Sequence, residues 1–216
     1  GNTVQLLLLS VPITVVLALA VALGLNRITN LKWRNVWASM YFLPFATSLV
    51  AAALIWQWIY DPVYGFLNYA LSFLGIPPQR WLQSLVEVRP SIAAVSVWVR
   101  IGFDTMIFLA ALQSIPGEYY EAAEIDGAGR VQRFWHITLP LLRPTSFFIL
   151  LTSLVAAVAG SQAFDLIYVM TKGGPANATQ VLVVYIYQQA FQFSAFGYAA
   201  AIASILADSF ISTTVE

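Results

Sequence analysis

The sequence has no cysteine and one histidine, His136, and only 9% of its 216 residues are charged. Without cysteine there is no disulfide framework, no thiolate metal site and no sulfur nucleophile. A single histidine leaves little room for an imidazole metal cluster or a Ser-His-Asp triad. Ten Lys and Arg cancel ten Asp and Glu, so the chain offers neither a basic surface for nucleic acid nor an acidic tail. Also missing is Gly-x-x-x-x-Gly-Lys-Ser/Thr, so no P-loop cradles ATP phosphates. What is abundant is apolar: 60% hydrophobic residues, with 7 Trp, 10 Tyr and 14 Phe, against an apolar share of about 45–50% in soluble domains. So many large apolar side chains do not fit inside one soluble core. The composition is that of an all-α, polytopic membrane helical bundle.

A spanning helix needs about 20 mostly apolar residues. Five stretches qualify: residues 4–25, 36–60, 91–113, 145–170 and 195–215. A sixth, residues 181–191, is about 16 Å long as a helix and too short to cross, so it is expected to lie at the interface or re-enter. Basic residues mark cytoplasmic loops. Arg27, Lys32 and Arg34 share one loop, and Arg130, Arg133 and Arg143 share another. The alternate loops hold Arg80 and Arg89, offset by Asp61 and Glu87, and Lys172. This alternation places Gly1 outside and the end of the last span inside. It carries the expectation of one preceding span and six in the intact protein. The last span turns polar after Ala207, with Asp208, Ser209, Ser212, Thr213, Thr214 and Glu216, and these are assigned no role.

The loop over residues 114–144 is more defined than a connector requires. Pro116 at a first helical position, with Glu118 and Glu121 near the positive end of the dipole, starts a short helix. Gly127 ends it at the position where a left-handed residue is wanted. A second helix over about residues 130–139 is expected to stop at Pro140. Acidic residues, including Glu124 and Asp126, alternate with Tyr119, Tyr120, Ala122 and Ala123 on the first helix. Such a face suits docking into a partner's groove, and equally an amphipathic segment resting on the membrane surface.

Glu121-Ala122-Ala123, Gly127 and Ile137-Thr138-Leu139-Pro140 follow the spacing Glu-Ala-Ala, three residues, Gly, nine residues, Ile-x-Leu-Pro. This loop resembles the EAA loop of binding-protein-dependent ABC importer permeases. Further similarity to the carbohydrate-type members, related to the maltose and glycerol-phosphate importers, covers nearly the whole chain. It includes Asp61-Pro62, Gly65 and Asn68, Leu166–Thr171 followed by Gly173-Gly174-Pro175, and Gly197-Tyr198-Ala199-Ala200-Ala201. The resemblance implies a transmembrane subunit in the bacterial cytoplasmic membrane that passes a sugar or polyol and does no covalent chemistry. The implied partners are a second permease subunit, two cytoplasmic ATPase subunits, an extracytoplasmic solute-binding protein and membrane lipid. ATP and magnesium would be bound by the ATPase partners, and no cofactor by this chain. Glu118, Glu121, Ala122, Ala123, Asp126, Gly127, Ile137, Leu139 and Pro140 would couple this subunit to the ATPase. The rival readings are a membrane-embedded enzyme, for which one histidine and scattered acids supply no convergent site, and a stand-alone secondary transporter, which usually needs more spans.

Ionisable residues inside spans are costly and functional by default. Arg100 falls near mid-bilayer, and Asp104 lies at i+4 on the same face, so the two can pair. They either brace helices or line the solute path. Gln162, Asp165 and Tyr168 repeat at i, i+3, an amide, a carboxylate and a ring on one stripe, as sugar recognition requires. In the maltose-type permeases the corresponding stretch contributes to the substrate pocket, while Tyr168 alone also fits an interfacial anchor. Trp56, Trp58 and Tyr60 read as an aromatic belt, Gln57 as a candidate for the path, and His136 as a packing or membrane-surface residue.

Overall fold

The computed structural model describes residues 1–158 and 160–215, with side chains for all of these except residue 161 and residues 209–215. The polar side chains expected over residues 209–216 thus lie outside the described ones. Every regular element described is helical. Helix α1 (Asn2–Asn26) is followed by α2 (Leu31–Ala46), α3 (Leu49–Ile59), a short α4 (Phe66–Ser72) and the long α5 (Val88–Ser114). The loop carries α6 (Glu118–Ile125) and α7 (Arg130–Leu141). Then come α8 (Arg143–Val158), α9 (Ser161–Met170), α10 (Leu182–Tyr187) and α11 (Phe196–Val215).

Among the described residues, only α1 and α5 are single helices long and apolar enough to cross a membrane. The stretch 36–60 is not one continuous helix: α2 and α3 meet at a 95° break. Pro44 lacks the N–H that would extend the ladder, and Thr47 and Ser48 are extended. The stretch 145–170 is also divided, because Gly160 is extended between α8 and α9. A Cβ there would meet the backbone of Ala156 at 2.5 Å. Pro140 does not end its helix. A π-turn over Phe134–Thr138 widens the helix just before it, which then runs on to Leu141 and bends 60° into α8. Pro116 precedes α6, whose N-cap is Gly117. The segment after residue 181 is short as expected, α10 continuing as a π-turn to Gln192.

Hydrocarbon offers no hydrophobic drive between helices, so small residues that let backbones approach must supply the packing. Helix α1 buries Ser10, Thr14, Ala18 and Ala22 at four-residue spacing, one stripe of small side chains. Thr105 of α5 donates to the Ala18 carbonyl at 3.4 Å across this seam. Ala18, Ala22 and Leu25 continue into the inner-end cluster with Ala38, Phe108, Leu112, Leu142 and Ile149. At the outer end, Leu6 packs with Val88, Ile92, Ile167 and Val181. The same seam is pinned by Asn2 Nδ2, which donates to the Asn177 carbonyl at 2.6 Å, and by Arg89 Nη2, which donates to Asn2 Oδ1 at 3.2 Å. Helices α1 and α5 therefore run parallel, and α8 returns.

Where α2 crosses α5 the two backbones come close. A Cβ at Gly102 would collide with the Tyr41 carbonyl and lie 2.8 Å from the Phe42 Cα. Gly102→Val should therefore force α2 and α5 apart and lower stability by about 1–3 kcal/mol or more. Thermal unfolding of the detergent-solubilised protein measures this, and an unchanged midpoint would contradict the crossing.

Candidate functional site

Three regions carry the sequence-marked residues: the inner loop, the middle of the bundle and the outer loops. On the inner side α6 ends in a Schellman motif. Gly127 has φ +77°, its N–H donates to the Glu124 carbonyl at 3.1 Å, and the Ala128 N–H reaches back to Ala123 at 2.8 Å. The tight reversal folds α6 against α7. Tyr120 Oη and Thr138 Oγ1 meet at 2.9 Å, and Arg133 donates to Glu124 Oε2 at 3.0 Å. The Gly129 N–H is capped by Gln132 Oε1 at 2.9 Å. No α6 residue is buried: Glu118, Glu121, Ala122 and Asp126 are exposed, and Ile125 is 87% exposed. Ile137, Leu139 and Pro140 are half-buried on the second arm. His136 is exposed, with Nδ1 3.0 Å from the Gln132 carbonyl oxygen.

In the middle of the bundle Arg100 and Asp104 pair, Nε to Oδ2 at 3.3 Å. The pair reaches α8 as well. Arg100 Nε donates to Ser153 Oγ at 3.0 Å, Arg100 Nη2 to Thr152 Oγ1 at 3.1 Å, and Ser153 Oγ to Asp104 Oδ2 at 3.3 Å. Asp104 is fully buried, and its Oδ1 has no partner among the described residues. Beside the cluster, the breaks in the two divided helices open on one pocket of about 330 Å³, lined by Phe45, Thr47, Arg100, Ala156, Gly160 and Gln162 among others. At 1.5 Å per residue, the break before α3, the break before α9 and Arg100 each lie about 15–18 Å from the outer ends of their helices. For helices running along the membrane normal, that depth is near mid-bilayer.

The expected stripe on α9 does not converge. Gln162 faces this pocket and donates from Nε2 to the Ser96 carbonyl at 3.2 Å. Tyr168 turns into an aromatic cluster instead, stacked on Phe164 at 5.1 Å and edge-on to Tyr187 at 5.0 Å. Asp165 is half-buried and lines neither pocket that Gln162 lines. The residue that joins Gln162 is Arg100, from another helix.

The aromatic belt also divides. Trp58 is exposed, but Tyr60 is buried and donates to the Ser91 carbonyl at 3.2 Å, and Trp56 packs between Tyr60 and Trp98. Gln57 caps α9, its Nε2 donating to the carbonyls of Val169 and Met170 at 3.0 Å each. Outside, Asn68 is a fully engaged hub. It donates to the carbonyls of Pro62 and Gln79 and accepts from the Gln79 N–H and Trp81 Nε1, all within 3.1 Å. The amides of Tyr64 and Val63 hold the Asp61 carboxyl below the usual carboxylate range. Between this loop and Thr171–Pro175 lies an open cleft of about 690 Å³, with Asp61, Arg80, Gln83 and Trp58 on its walls.

The sequence had not marked Ser153, Thr152 or Gly102. Hydroxyls and glycines are common in membrane helices, and only the neighbouring helix reveals their partners.

These features define a transport-permease fold. It superposes with a TM-score of 0.87 on a bacterial ABC transporter involved in the import of the acidic polysaccharide alginate, at 28% identity, covering 98% of this chain and 73% of that one. The chain belongs to the family described as binding-protein-dependent transport system inner membrane component, whose model matches residues 4–215. Among its relatives is the trehalose/maltose transport system permease protein MalF of Thermococcus litoralis, 40% identical over 82% of this chain and 58% of that protein. The sulfoquinovosyl glycerol transport system permease protein SmoG of Agrobacterium fabrum is 37% identical over 95% of this chain and 65% of that protein. The sn-glycerol-3-phosphate transport system permease protein UgpA of Yersinia pestis is 38% identical, covering 81% of this chain and 59% of that protein. The chain thus spans roughly three-fifths of the length of these curated relatives.

The buried pair makes its own prediction. Arg100→Ala leaves Asp104 buried without its counter-ion and should cost about 3–5 kcal/mol, whereas Arg100→Ala with Asp104→Ala should recover much of the loss. Thermal stability of the purified variants is the measurement. Equal loss in the single and double variants would contradict pairing.

Proposed function

We propose that the chain is one transmembrane subunit of a bacterial ABC importer for a sugar or related polyol. The observation that carries this is α6. A helix folded against its neighbour by a Schellman turn, a hydroxyl bridge and an ion pair, yet with no buried residue, is built to be covered by something else. Its exposed acids Glu118, Glu121 and Asp126, and its apolar Ile125, suit a groove on a cytoplasmic ATPase subunit. Ala122 and Ala123 let the two backbones approach. Ile137, Leu139 and Pro140 seat the second arm of the hairpin.

On the opposite face, the cleft between the Asp61 loop and Thr171–Pro175 suits a solute-loaded binding protein. A second permease subunit completes the path. Closure of two ATPases on ATP moves α6, and the motion enters the bundle through α7 and α8. ATP and magnesium are handled by the ATPases. The names of the relatives, which include trehalose/maltose and glycerol-phosphate permeases, favour sugars and polyols, and Arg100 and Gln162 are the side chains placed to meet such a solute. Asp104 supports Arg100 from behind, whereas Asp165 and Tyr168 lie outside this pocket.

Gly127→Val tests the coupling role. A β-branched residue at φ +77° resists the left-handed conformation at a cost of about 1–2 kcal/mol. The turn should open, and co-purification of the ATPase should fall at least severalfold while membrane insertion persists. A variant that still brings down a full complement of ATPase and transports normally would contradict α6 as the coupling element.

A further inference from the structure

Arg100 has more donors than its neighbours use. A guanidinium carries five N–H groups. Nε is spent on Ser153 and Asp104 and one Nη2 hydrogen on Thr152, and among the described residues nothing accepts from Nη1. The side chain is only 11% exposed, and it forms part of the wall of the pocket between the two helix breaks. Asp104 is absent from that wall, so an entering molecule meets the cation and not the carboxylate.

The pocket is suited to a ligand in three further respects. Its volume, about 330 Å³, lies at the lower end of the range of small-molecule sites. Non-helical backbone at membrane depth is tolerated where it is buried in protein or lines a water-filled cavity, and Thr47 and Ser48 are exposed. The guanidinium is also already oriented. Thr152, Ser153 and Asp104 hold it from one side, and Arg100 lies over the Phe103 ring at 5.6 Å, so little rotamer freedom is lost on binding.

We propose that this pocket binds the anionic group of an acid-substituted sugar or polyol, a carboxylate or a phosphate monoester, on the free edge of Arg100. Gln162, whose Nε2 is committed to Ser96, turns Oε1 to a ring hydroxyl. Phe45, which also lines the pocket and stacks on Phe103 at 4.6 Å, offers its ring to the apolar face of the sugar. A neutral sugar needs a mixture of donors and acceptors. This wall presents a fixed cationic fork, and charge-assisted hydrogen bonds are about twice as strong as neutral ones. The inference rests on the importer reading and names the class of solute that the path prefers.

The test uses the assembled importer in nanodiscs and equilibrium binding of three radiolabelled ligands: maltose, its counterpart with one hydroxymethyl group oxidised to a carboxylate, and glycerol 3-phosphate. Wild type should bind at least one anionic ligand at least about tenfold more tightly than maltose, and which of the two identifies the anion. Arg100→Gln with Asp104→Asn removes both charges without stranding either, and should abolish that preference. Neutral preference in wild type, no binding of any ligand, or a proportional loss of all binding in the double variant would each overturn the proposal, the last marking Arg100 as a brace. Failure of the importer reading would appear earlier and separately, as no ATPase in the purified assembly.

Discussion

A backbone N–H or C=O in hydrocarbon has no water to turn to, so each must be paired within the protein or face an aqueous cavity. The whole arrangement follows from how this chain meets that demand while interrupting two of its helices. Helix α1 meets it by continuity except at Pro12, which has no N–H to give, and α5 does the same. Between α2 and α3, and between α8 and α9, the ladder stops near mid-bilayer. Thr47 Oγ1 answers one carbonyl of the first break by donating to Pro44 at 2.7 Å. Gln57, across the bundle, answers two carbonyls at the far end of α9.

The intact helices make those interruptions tolerable. The small-residue stripe of α1 and the glycine crossing on α5 bring backbones close enough for van der Waals packing to hold the frame. Against that frame, α8 ties the inner loop to the middle of the bundle. It leaves α7 at the 60° bend, buries Ile149 in the inner cluster, and presents Thr152 and Ser153 to Arg100. A displacement of α6 would, in the importer reading, reach α7 through the Tyr120–Thr138 bridge and, past the bend, α8 and the hydrogen bonds that orient the guanidinium. In the importer reading, the coupling loop and the solute pocket are thus two ends of one mechanical element. The ion pair between Arg133 and Glu124 adds little to this, because Glu124 is largely in solvent.

The features that the sequence disclosed are those whose cause is local. The interval from Glu121-Ala122-Ala123 to Gly127 is set by one short helix and its left-handed exit, and both can be read from residue types. The Arg100–Asp104 pair lies on one helix at i+4, so its meeting was predictable from spacing alone. Membrane residence followed from composition. The broken helices did not, because counting apolar residues is blind to whether Thr47-Ser48 or Gly160 interrupts the ladder. The α9 stripe failed for a related reason: a helical repeat shows which residues share a side but not what that side faces, and Phe164 and Tyr187 claimed Tyr168. Likewise Gln57 and Ser153 acquire their roles from partners more than 40 residues away.

The pocket that the two helix breaks enclose beside Arg100 should be filled with water. This sequence holds no cysteine, so a thiol introduced into it can be labelled in an assembled complex whose other thiols have been replaced. Thr47→Cys places a thiol on the pocket wall, and Ile55→Cys places one on an exposed apolar side chain of α3, away from it. A charged, membrane-impermeant methanethiosulfonate should modify Thr47→Cys readily and leave Ile55→Cys essentially unreacted. Modification of Ile55→Cys alone, or equal resistance at both positions, would show that the breaks are not lined by water and would contradict the account.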